Sequence, residues 1–358
     1  MERTIELSFV IPVYNAESTL RTTVRSILDQ DNRKIEVILV DDGSTDGSGV
    51  LCDTLRDENP SVISVIHQAN RGSQAARMAG FEQVKGRYLM YVDADDFVMQ
   101  GAVGHICRDI LGGSDLYIYD FQADDMGGKR IKAVKNLPYD SPKVFDSGKK
   151  EVLDQFFGKY TLSPLWETVI KRKCHKKIRD IRYPAGIKYD ECRLQKLFLL
   201  DAADIIAYIP HAIYYFRWTP GSQSWAHTAG LFHEGLYDDY KAVWSIERRY
   251  YSRLGYTQRE AAAFDGVKLG VICSNLRKRY LIYGDSEQLR AVMQYAADDP
   301  LFRLLSEENI RSAAEECVGK TALLLRQHEF SQLLAYWDEK GPGTARPVSF
   351  ERTGAADR

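Results

Sequence analysis

The sequence predicts an α/β protein in which a mainly parallel sheet is flanked by helices and followed by a helical C-terminal region. In the first hundred residues, apolar strand-like runs alternate with helix-like stretches, a rhythm typical of parallel strands joined by crossover helices. After about Gly230 the sequence is helix-like as far as about Trp337. The 358 residues suffice for two domains, or for one large domain with an appendage.

Four strands and three helices are predicted in the first hundred residues. Apolar residues recur at helical spacing between the strands, and polar residues gather just after several strand ends, where open α/β sheets bind ligands. The predicted strands are Leu7 to Val13, Ile35 to Val40, Val62 to His67 and Tyr88 to Val92; the helices between them carry Leu20, Val24, Ile27 and Leu28, then Leu51 and Leu55, then Ala75, Ala76 and Ala79 within Gly72 to Val84.

Mixed elements are predicted after Gly101. A turn-rich stretch at 124–128 separates two apolar runs, Leu116 to Phe121 and Ile131 to Val134, that could pair as a hairpin. Helical stretches surround Trp166 and Leu194. Two further strands are predicted, at Ile205 to Ile209 and at Ile213 to Phe216.

Composition argues against several classes of function. The formal charge is −2 and the pI is about 6.4, so no overall positive field favours DNA or RNA as a partner. The first residues run straight into a strand without a secretory signal, which predicts a cytoplasmic location. The six cysteines contain no close pair and are expected to be reduced thiols.

The sharpest candidate site is Asp93-Ala94-Asp95-Asp96, directly after the fourth predicted strand. Two carboxylates with one residue between them can share a hard cation such as Mn²⁺ or Mg²⁺, which takes its other ligands from phosphates and water. Taken alone, the string is more typical of a turn or a helix cap, where Asp is also favoured, than of a cation site. Its position at a strand end, beside other polar strand ends, favours the cation.

Polar groups also follow the other strands. Tyr14 after the first strand has a face that can stack on a base, and Asp42 after the second can accept hydrogen bonds from a base or a ribose. At a third junction, Arg71 and the helix that begins near Gly72 could meet phosphate oxygens. The alternatives are a half-buried aromatic, a turn residue and a helix cap with a solvated Arg.

Four segments together resemble a known family. In order and spacing, V-I-P-V-Y-N-A-E, V-D-D-G-S-T-D, N-R-G-S-x-x-A-R and Y-V-D-A-D-D resemble the inverting glycosyltransferases of family 2, which have the A-type (GT-A) glycosyltransferase fold, a Rossmann-like sheet. The strong match covers about the first hundred residues. The resemblance implies a nucleotide-sugar donor, most commonly a uridine diphosphate (UDP) sugar, and a divalent metal.

The resemblance also implies roles for individual residues. Asp95, with Asp93, is expected to hold the metal, and Asp93 is expected to be shared with the ribose. The expected nucleotide-sugar contacts are Pro12, Tyr14, Asn15, Glu17, Asp42, Asn70, Arg71, Gly72, Ala75, Arg77, Asp93 and Ala94.

The rest of the resemblance is looser. Trp166 matches an acceptor-side Trp, although Thr168 stands where the family has Lys. The segment from Gly186 to Leu194 resembles the one that carries the catalytic base in an E-D pair, which aligns the base with Asp190 and leaves Tyr189 in place of Glu; an offset alignment makes Glu191 the reserve candidate. Arg217 and Ser222 match a string near the diphosphate.

These expectations define a metal-dependent inverting transfer of a hexosyl or N-acetylhexosaminyl group to a hydroxyl of a glycan or lipid-linked acceptor in surface polysaccharide synthesis. The alternatives are an inactive nucleotide-sugar-binding scaffold and a nucleotidyltransferase. A nucleotidyltransferase normally has a Gly-rich phosphate loop early in the chain, and none follows the first predicted strand. The expected divisions are a catalytic domain at 1–229 (nucleotide-sugar half 1–100, acceptor-side half 101–229), a helical region at 230–339 and a disordered tail at 340–358.

The helical C-terminal region has three interpretations. Tyr250-Tyr251 and Arg277-Lys278-Arg279-Tyr280 could lie on an anionic membrane, which would place the protein at the inner face of the plasma membrane. The helices could instead pack on the catalytic domain, or join a second subunit in a homo-oligomer. Packing on the catalytic domain or on a second subunit is the favoured interpretation.

Overall fold

A computed structural model of the chain describes residues 4–30, 34–124, 133–146, 149–159, 162–178, 187, 190–218, 236–298 and 316–340. In this part of the chain nine strands form one sheet, in the order β3-β2-β1-β4-β8-β6-β9-β5, with β7 paired to β9. The strands are β1 Leu7–Val13, β2 Ile35–Asp41, β3 Ile63–His67, β4 Tyr88–Tyr91, β5 Phe97–Val98, β6 Leu116–Ala123, β7 Lys143–Phe145, β8 Thr168–Lys171 and β9 Ile206–Phe216.

Helices cover both faces of the sheet and continue beyond it. The first seven are α1 Leu20–Leu28, α2 Ser48–Glu58, α3 Ser73–Gln83, α4 Ala102–Asp109, α5 Lys149–Gly158, α6 Arg172–Ile178 and α7 Glu191–Ala202. The C-terminal helices are α8 Leu236–Arg253, α9 Gln258–Tyr283, α10 Glu287–Asp298, α11 Glu316–Arg326 and α12 Phe330–Lys340. None of the described helices is long and apolar enough to cross a bilayer.

The sheet has a parallel half and a mixed half. The first four strands are parallel, with β1 between β2 and β4, so their carboxyl ends meet at one edge. Strand β8 then pairs antiparallel to both β4 and β6, which reverses the chain direction at the centre of the sheet. The four strands predicted in the first hundred residues are therefore confirmed, with ends that differ by one residue at most.

Alternate residues of each strand serve two separate cores. In β2, Ile38 and Val40 join one buried cluster, whereas Val37 and Leu39 join the other. Because side chains alternate between the faces of a strand, this division means that both faces of β2 are covered. The continuous apolar run in the sequence follows from that double burial.

Two predicted strands of the mixed half are one strand in the structure. β9 runs through Pro210, although the sequence predicts a break between Ile209 and Ile213. The register of β9 with β6 shifts around Asp120, so that Pro210 and His211 have no partner in the ladder. A bulge of this kind tolerates a proline, which has no N–H to donate. Of the predicted hairpin, the described residues contain β6 and a single antiparallel bridge from Phe121 to Val134.

The C-terminal helices share a core with the catalytic sheet. Val243 and Ile246 of α8 and Phe264 of α9 belong to the same buried cluster as Val10 and Leu89 of the sheet. The rest of the helical region forms a third cluster around Trp244 and Trp337. The expected boundary at 229/230 lies outside the described residues, as do residues 341–358 of the expected tail, while Lys340 ends α12.

The residues considered for membrane contact are largely buried. Tyr251 and Arg277 are each 3% exposed. The Tyr280 hydroxyl donates to Asp338 of α12, and the Arg253 guanidinium lies over the ring of Tyr250. These side chains therefore contact other parts of the chain.

The buried imidazole of His175 predicts a pH-dependent stability. It stacks on Phe81, and its Nε2 lies 2.7 Å from the Tyr91 hydroxyl oxygen. Burial lowers the pKa of His175 from 6.5 to about 3. The unfolded chain therefore takes up a proton that the folded chain excludes, so the free energy of unfolding should decrease as pH falls from about 6.5 towards about 3.

Urea denaturation at pH 7 and at pH 4.5 tests this expectation. His175→Gln should lose less stability than the wild type between the two pH values. His67→Gln is the control with the opposite sign, because the hydrogen bond to Asp41 raises the pKa of His67. Equal pH dependence of wild type and His175→Gln would contradict the prediction.

Candidate active site

The first motif connects two loops at the edge where the parallel strands end. Asn15 has a positive φ of 50°, a conformation that Asn adopts more readily than most residues, and its Oδ1 accepts from Thr45 N at 2.8 Å. Glu17 Oε2 accepts from Gly47 N at 3.0 Å. Tyr14 remains half-exposed beside them, and Pro12 lies within β1. The motif thus holds the loops after β1 and β2 together and leaves the ring of Tyr14 open to a ligand.

Asp42 organises the loop between β3 and α3. Its Oδ1 accepts from Gln68 Nε2 at 2.7 Å and from Arg71 N at 2.9 Å, and its Oδ2 accepts from Gly72 N at 2.8 Å. The carboxylate is 3% exposed. In this arrangement Asp42 fixes the third motif, with Asn70 and Arg71 on the outer side of the loop.

The three carboxylates of the acidic motif after β4 differ in burial and in hydrogen bonding. Asp96 is fully buried and accepts from the Tyr214 hydroxyl at 2.8 Å and from Arg217 N at 2.7 Å. Asp93 N donates to the same Tyr214 hydroxyl at 3.0 Å. Asp96 and Tyr214 therefore join the end of β4 to β9, while Asp93 and Asp95 stay partly exposed.

The electrostatics of this motif suit a cation. Burial, together with the nearby charge of Asp93, raises the pKa of Asp95 to about 6. Burial, with the charges of Asp95 and Asp93, also raises the pKa of Asp96. Among the described residues, no group of three or more His, Cys, Asp or Glu side chains could hold a metal ion. The residues fit a cation that takes few protein ligands and completes its shell from a nucleotide and water.

Arg77 connects the acidic motif to the start of α7. It is 4% exposed, and its guanidinium lies 3.3 Å from Asp93 Oδ1 and 3.5 Å from Glu191 Oε1. Glu191 also accepts from the Ser73 hydroxyl at 3.1 Å. Ala75 lies on the same helix as Arg77, and Ala94 is buried between the two aspartates.

The two candidate bases face different parts of the molecule. Glu191 faces Arg77 and Ser73, which places it next to Asp93. The carboxylate of Asp190 instead lies 3.2 Å from the ammonium of Lys268 in α9. Glu191 is thus the carboxylate that the fold brings to the acidic motif, a distinction that adjacent sequence positions do not reveal.

Trp166 and Arg217 lie on the other side of the acidic motif. The indole of Trp166, 8% exposed, stacks on Tyr214 with ring centroids 4.4 Å apart. Arg217 Nε donates to the carbonyl oxygen of Asp95, while its Nη2 is buried and has no hydrogen-bond partner among the residues that the structure describes. That nitrogen is a donor that a ligand oxygen could satisfy. Ser222 lies outside the described residues.

Several contacts at this site have no signal in the motifs themselves. Tyr214 and Ser73 lie in segments that resemble family motifs, but those segments do not predict that Tyr214 joins Asp93 to Asp96 or that Ser73 donates to Glu191. Lys196 of α7 contacts Thr168 and lies 3.2 Å from Glu167 Oε1, so a buried lysine ammonium occupies the neighbourhood in which the family's usual Lys is replaced. A lysine supplied from a different helix could not be anticipated from the spacing around Trp166.

Tyr214→Phe is expected to lower the free energy of unfolding by about 1–3 kcal/mol, because it leaves Asp96 Oδ2 and Asp93 N without this buried partner. Urea denaturation measures the loss. Tyr295→Phe is the matched control, since the Tyr295 hydroxyl donates to Asp238 at 2.8 Å but the residue is 47% exposed. Equal losses in the two variants would contradict a special role for the Tyr214 hydroxyl.

The GT-A-like sheet and the acidic motif at its strand ends define a glycosyltransferase type of protein. Residues 8–178 match the model of the family described as Glycosyl transferase family 2. The matched part contains the four motifs, so this match confirms the resemblance that they predict.

Relatives and solved structures agree with this assignment. "Glycosyltransferase GlyA" of Streptococcus pneumoniae is 28% identical over 240 residues, which are 64% of this chain and 33% of GlyA. "Glycosyltransferase GlyG" of the same species is 29% identical over 222 residues, 60% of this chain and 72% of GlyG. This chain therefore spans about a third of GlyA and most of GlyG.

The fold extends the likeness to almost the whole chain. A crystal structure of S. aureus TarS 1–349 in complex with UDP-GlcNAc has a TM-score of 0.65 and 18% identity, and the match covers 99% of this chain and 95% of that one. At this level of identity the comparison concerns the fold alone. It confirms the predicted GT-A-like α/β fold with C-terminal helices.

Proposed function

We propose that the chain transfers a sugar from a UDP-sugar to a hydroxyl of a glycan or lipid-linked acceptor, with inversion, in surface polysaccharide synthesis. The observation that carries the proposal is the contact of the Arg77 guanidinium with both Asp93 and Glu191. This contact joins the acidic donor motif to a carboxylate at the start of α7. A donor site and a base are the two parts that a single displacement requires.

The donor is proposed to lie along the carboxyl ends of β1, β2 and β4. The half-exposed ring of Tyr14 provides a face for the base, and the loop fixed by Asp42 carries the exposed Arg71. The unpartnered Nη2 of Arg217 is a donor for a diphosphate oxygen. S. aureus TarS, which has the same fold, was crystallised with UDP-GlcNAc, and this supports a UDP-sugar as donor.

A divalent cation, Mn²⁺ or Mg²⁺, is proposed to be held by Asp95 and Asp93. When bound, such a cation stabilises the negative charge that develops on the leaving diphosphate. The raised pKa of Asp95 supports this assignment, because burial and the nearby charge of Asp93 destabilise its carboxylate and a bound cation would offset both effects.

The base is proposed to be Glu191 rather than Asp190. As the acceptor oxygen attacks the anomeric carbon, its proton passes to the Glu191 carboxylate while the bond from that carbon to the diphosphate oxygen breaks. Arg77 and Ser73 hold the carboxylate in place. Attack on the face opposite the leaving group inverts the anomeric centre.

A panel of nucleotide-sugars in a thermal-shift assay tests the donor, because a ligand that binds only the folded state raises its melting temperature. UDP-sugars with Mn²⁺ should give the largest shifts, and UDP release should stop with a chelator or in Asp95→Ala. Activity that survives both treatments would overturn the metal assignment. Binding without turnover on any acceptor would instead favour an inactive scaffold.

A further inference from the structure

The residue before Glu191 has an unusual backbone conformation. Asp190 precedes the first turn of α7 with φ 64° and ψ 7°, in the left-handed region. Few residues other than Gly adopt this region without cost, although Asp and Asn tolerate it better than most. Because the torsion angles of Asp190 set the direction in which the chain enters α7, they also set where Glu191 points.

A lysine from the C-terminal helices holds Asp190 in this conformation. Lys268 Nζ of α9 lies 3.2 Å from Asp190 Oδ2, and the side chains are 3% and 7% exposed. The two residues are separated by 78 positions in the sequence. No part of the sheet or of α7 itself makes this contact; it comes from the helical region.

The contact belongs to a buried network of four charges. Lys268 also lies 3.3 Å from Glu247 of α8, and Glu247 lies 2.6 Å from Arg193 of α7. Among the described residues the network brings two cations and two anions together, and this pairing offsets part of the cost of burying each charge. It crosses from α7 to α8 and α9 and back to the residue that precedes Glu191.

We propose that Lys268 is a positioning residue for the transfer reaction, which anchors Asp190 and thereby directs Glu191 towards Arg77. This inference rests on the proposed function, in which Glu191 is the base. The C-terminal helices then contribute to the geometry of the catalytic site. Lys268 acts through Asp190 and does not contact the substrate.

Two variants remove the contact between Lys268 and Asp190, one at each residue. Lys268→Met removes the ammonium and keeps an apolar stem of similar length. Asp190→Gly removes the carboxylate and leaves a residue that adopts φ 64° without strain, so its effect reports the loss of the carboxylate's contacts and not a change in backbone strain. Arg248→Met is the control, because Arg248 of α8 pairs with Asp265 of α9 at 3.2 Å and joins the same two helices away from α7.

Two measurements on the full-length chain decide the matter. Hydrogen exchange of the amides in the first turn of α7 should be faster by about tenfold or more in Lys268→Met and Asp190→Gly, and unchanged in Arg248→Met. With UDP-GlcNAc or another UDP-sugar that the wild type turns over, kcat should fall by about ten- to a hundredfold in both variants while the Kd for UDP stays within about twofold. The double variant should lose no more than either single variant.

The inference is overturned if Lys268→Met and Asp190→Gly match Arg248→Met in both measurements. If Lys268→Met does not fold, Asp190→Gly alone decides between the two results. Failure of the proposed function has a different signature: the wild type then binds no UDP and releases none from UDP-sugars, while the exchange comparison still reports whether Lys268 orders the start of α7.

Discussion

Glu191→Gln is expected to lower kcat by about a hundred- to ten-thousandfold, the usual contribution of a general base. The amide keeps the shape of the side chain and can still accept from Ser73, but it cannot take the proton of the acceptor hydroxyl. The Kd for UDP should stay within about twofold, because a base contributes to the transition state and not to ground-state binding of the nucleotide. Steady-state UDP release and calorimetric titration with UDP measure the two quantities.

Asp190→Asn is the matched comparison for this prediction. Asn tolerates the left-handed conformation, and its amide oxygen can still accept from Lys268, so the loss in kcat should stay below about tenfold. The opposite ranking, with Glu191→Gln near wild type and Asp190→Asn strongly impaired, would return the role of base to Asp190.

The parallel half of the fold was predictable because its signals are local. Strand and helix periodicity alternate between Leu7 and Tyr91, and turn chemistry such as that of Asp42 and Gly43 marks each strand end. Gly43 shows how strict this chemistry is: its φ is 71°, and a Cβ there would lie 2.8 Å from the backbone nitrogen of Asn70. Because such patterns depend only on neighbouring residues, they predict the same elements that the folded chain contains.

The mixed half was less predictable because its order depends on pairing between distant segments. β8 is four residues long and follows Trp166 without a clear alternation, and its identity as a central strand comes from its pairing with β4 and β6. The sequence predicts two strands with a break where Pro210 lies, but the bulge opposite Asp120 accommodates the proline within β9. Neither pairing produces a recognisable pattern in the sequence of the strand itself.

The candidate site likewise has a part that local motifs predicted and a part that depends on contacts between distant segments. The strand-end motifs predicted which residues gather where the parallel strands end, since each motif is contiguous in sequence. The choice between Asp190 and Glu191 could not be made from sequence, because neighbouring residues at a helix start point in different directions and only the fold determines which one meets Arg77. Lys268 could not be anticipated at all, since no motif links it to Asp190.

Arg193→Met is expected to lower the free energy of unfolding by about 3–5 kcal/mol, the usual result of removing one partner from a buried ion pair. Arg193 is fully buried, and its guanidinium donates to Glu247 Oε1 at 2.6 Å, to Phe156 O at 2.8 Å and to the Ser163 hydroxyl at 3.1 Å. The variant removes these three hydrogen bonds where α5, α7 and α8 meet. Urea denaturation measures the loss, and Arg21→Met, which breaks an exposed pair with Glu58, should cost below about 1 kcal/mol.

The double variant Arg193→Met/Glu247→Leu separates charge burial from loss of packing. Removing both members leaves Lys268 with Asp190, so the remaining buried pair is still neutral. Replacing a buried ion pair by apolar side chains is often neutral or stabilising, so the double variant should recover much of the stability that Arg193→Met loses. A double variant as unstable as the single one would show instead that the hydrogen bonds of Arg193 to Phe156 and Ser163, rather than its charge, hold α7 against α5.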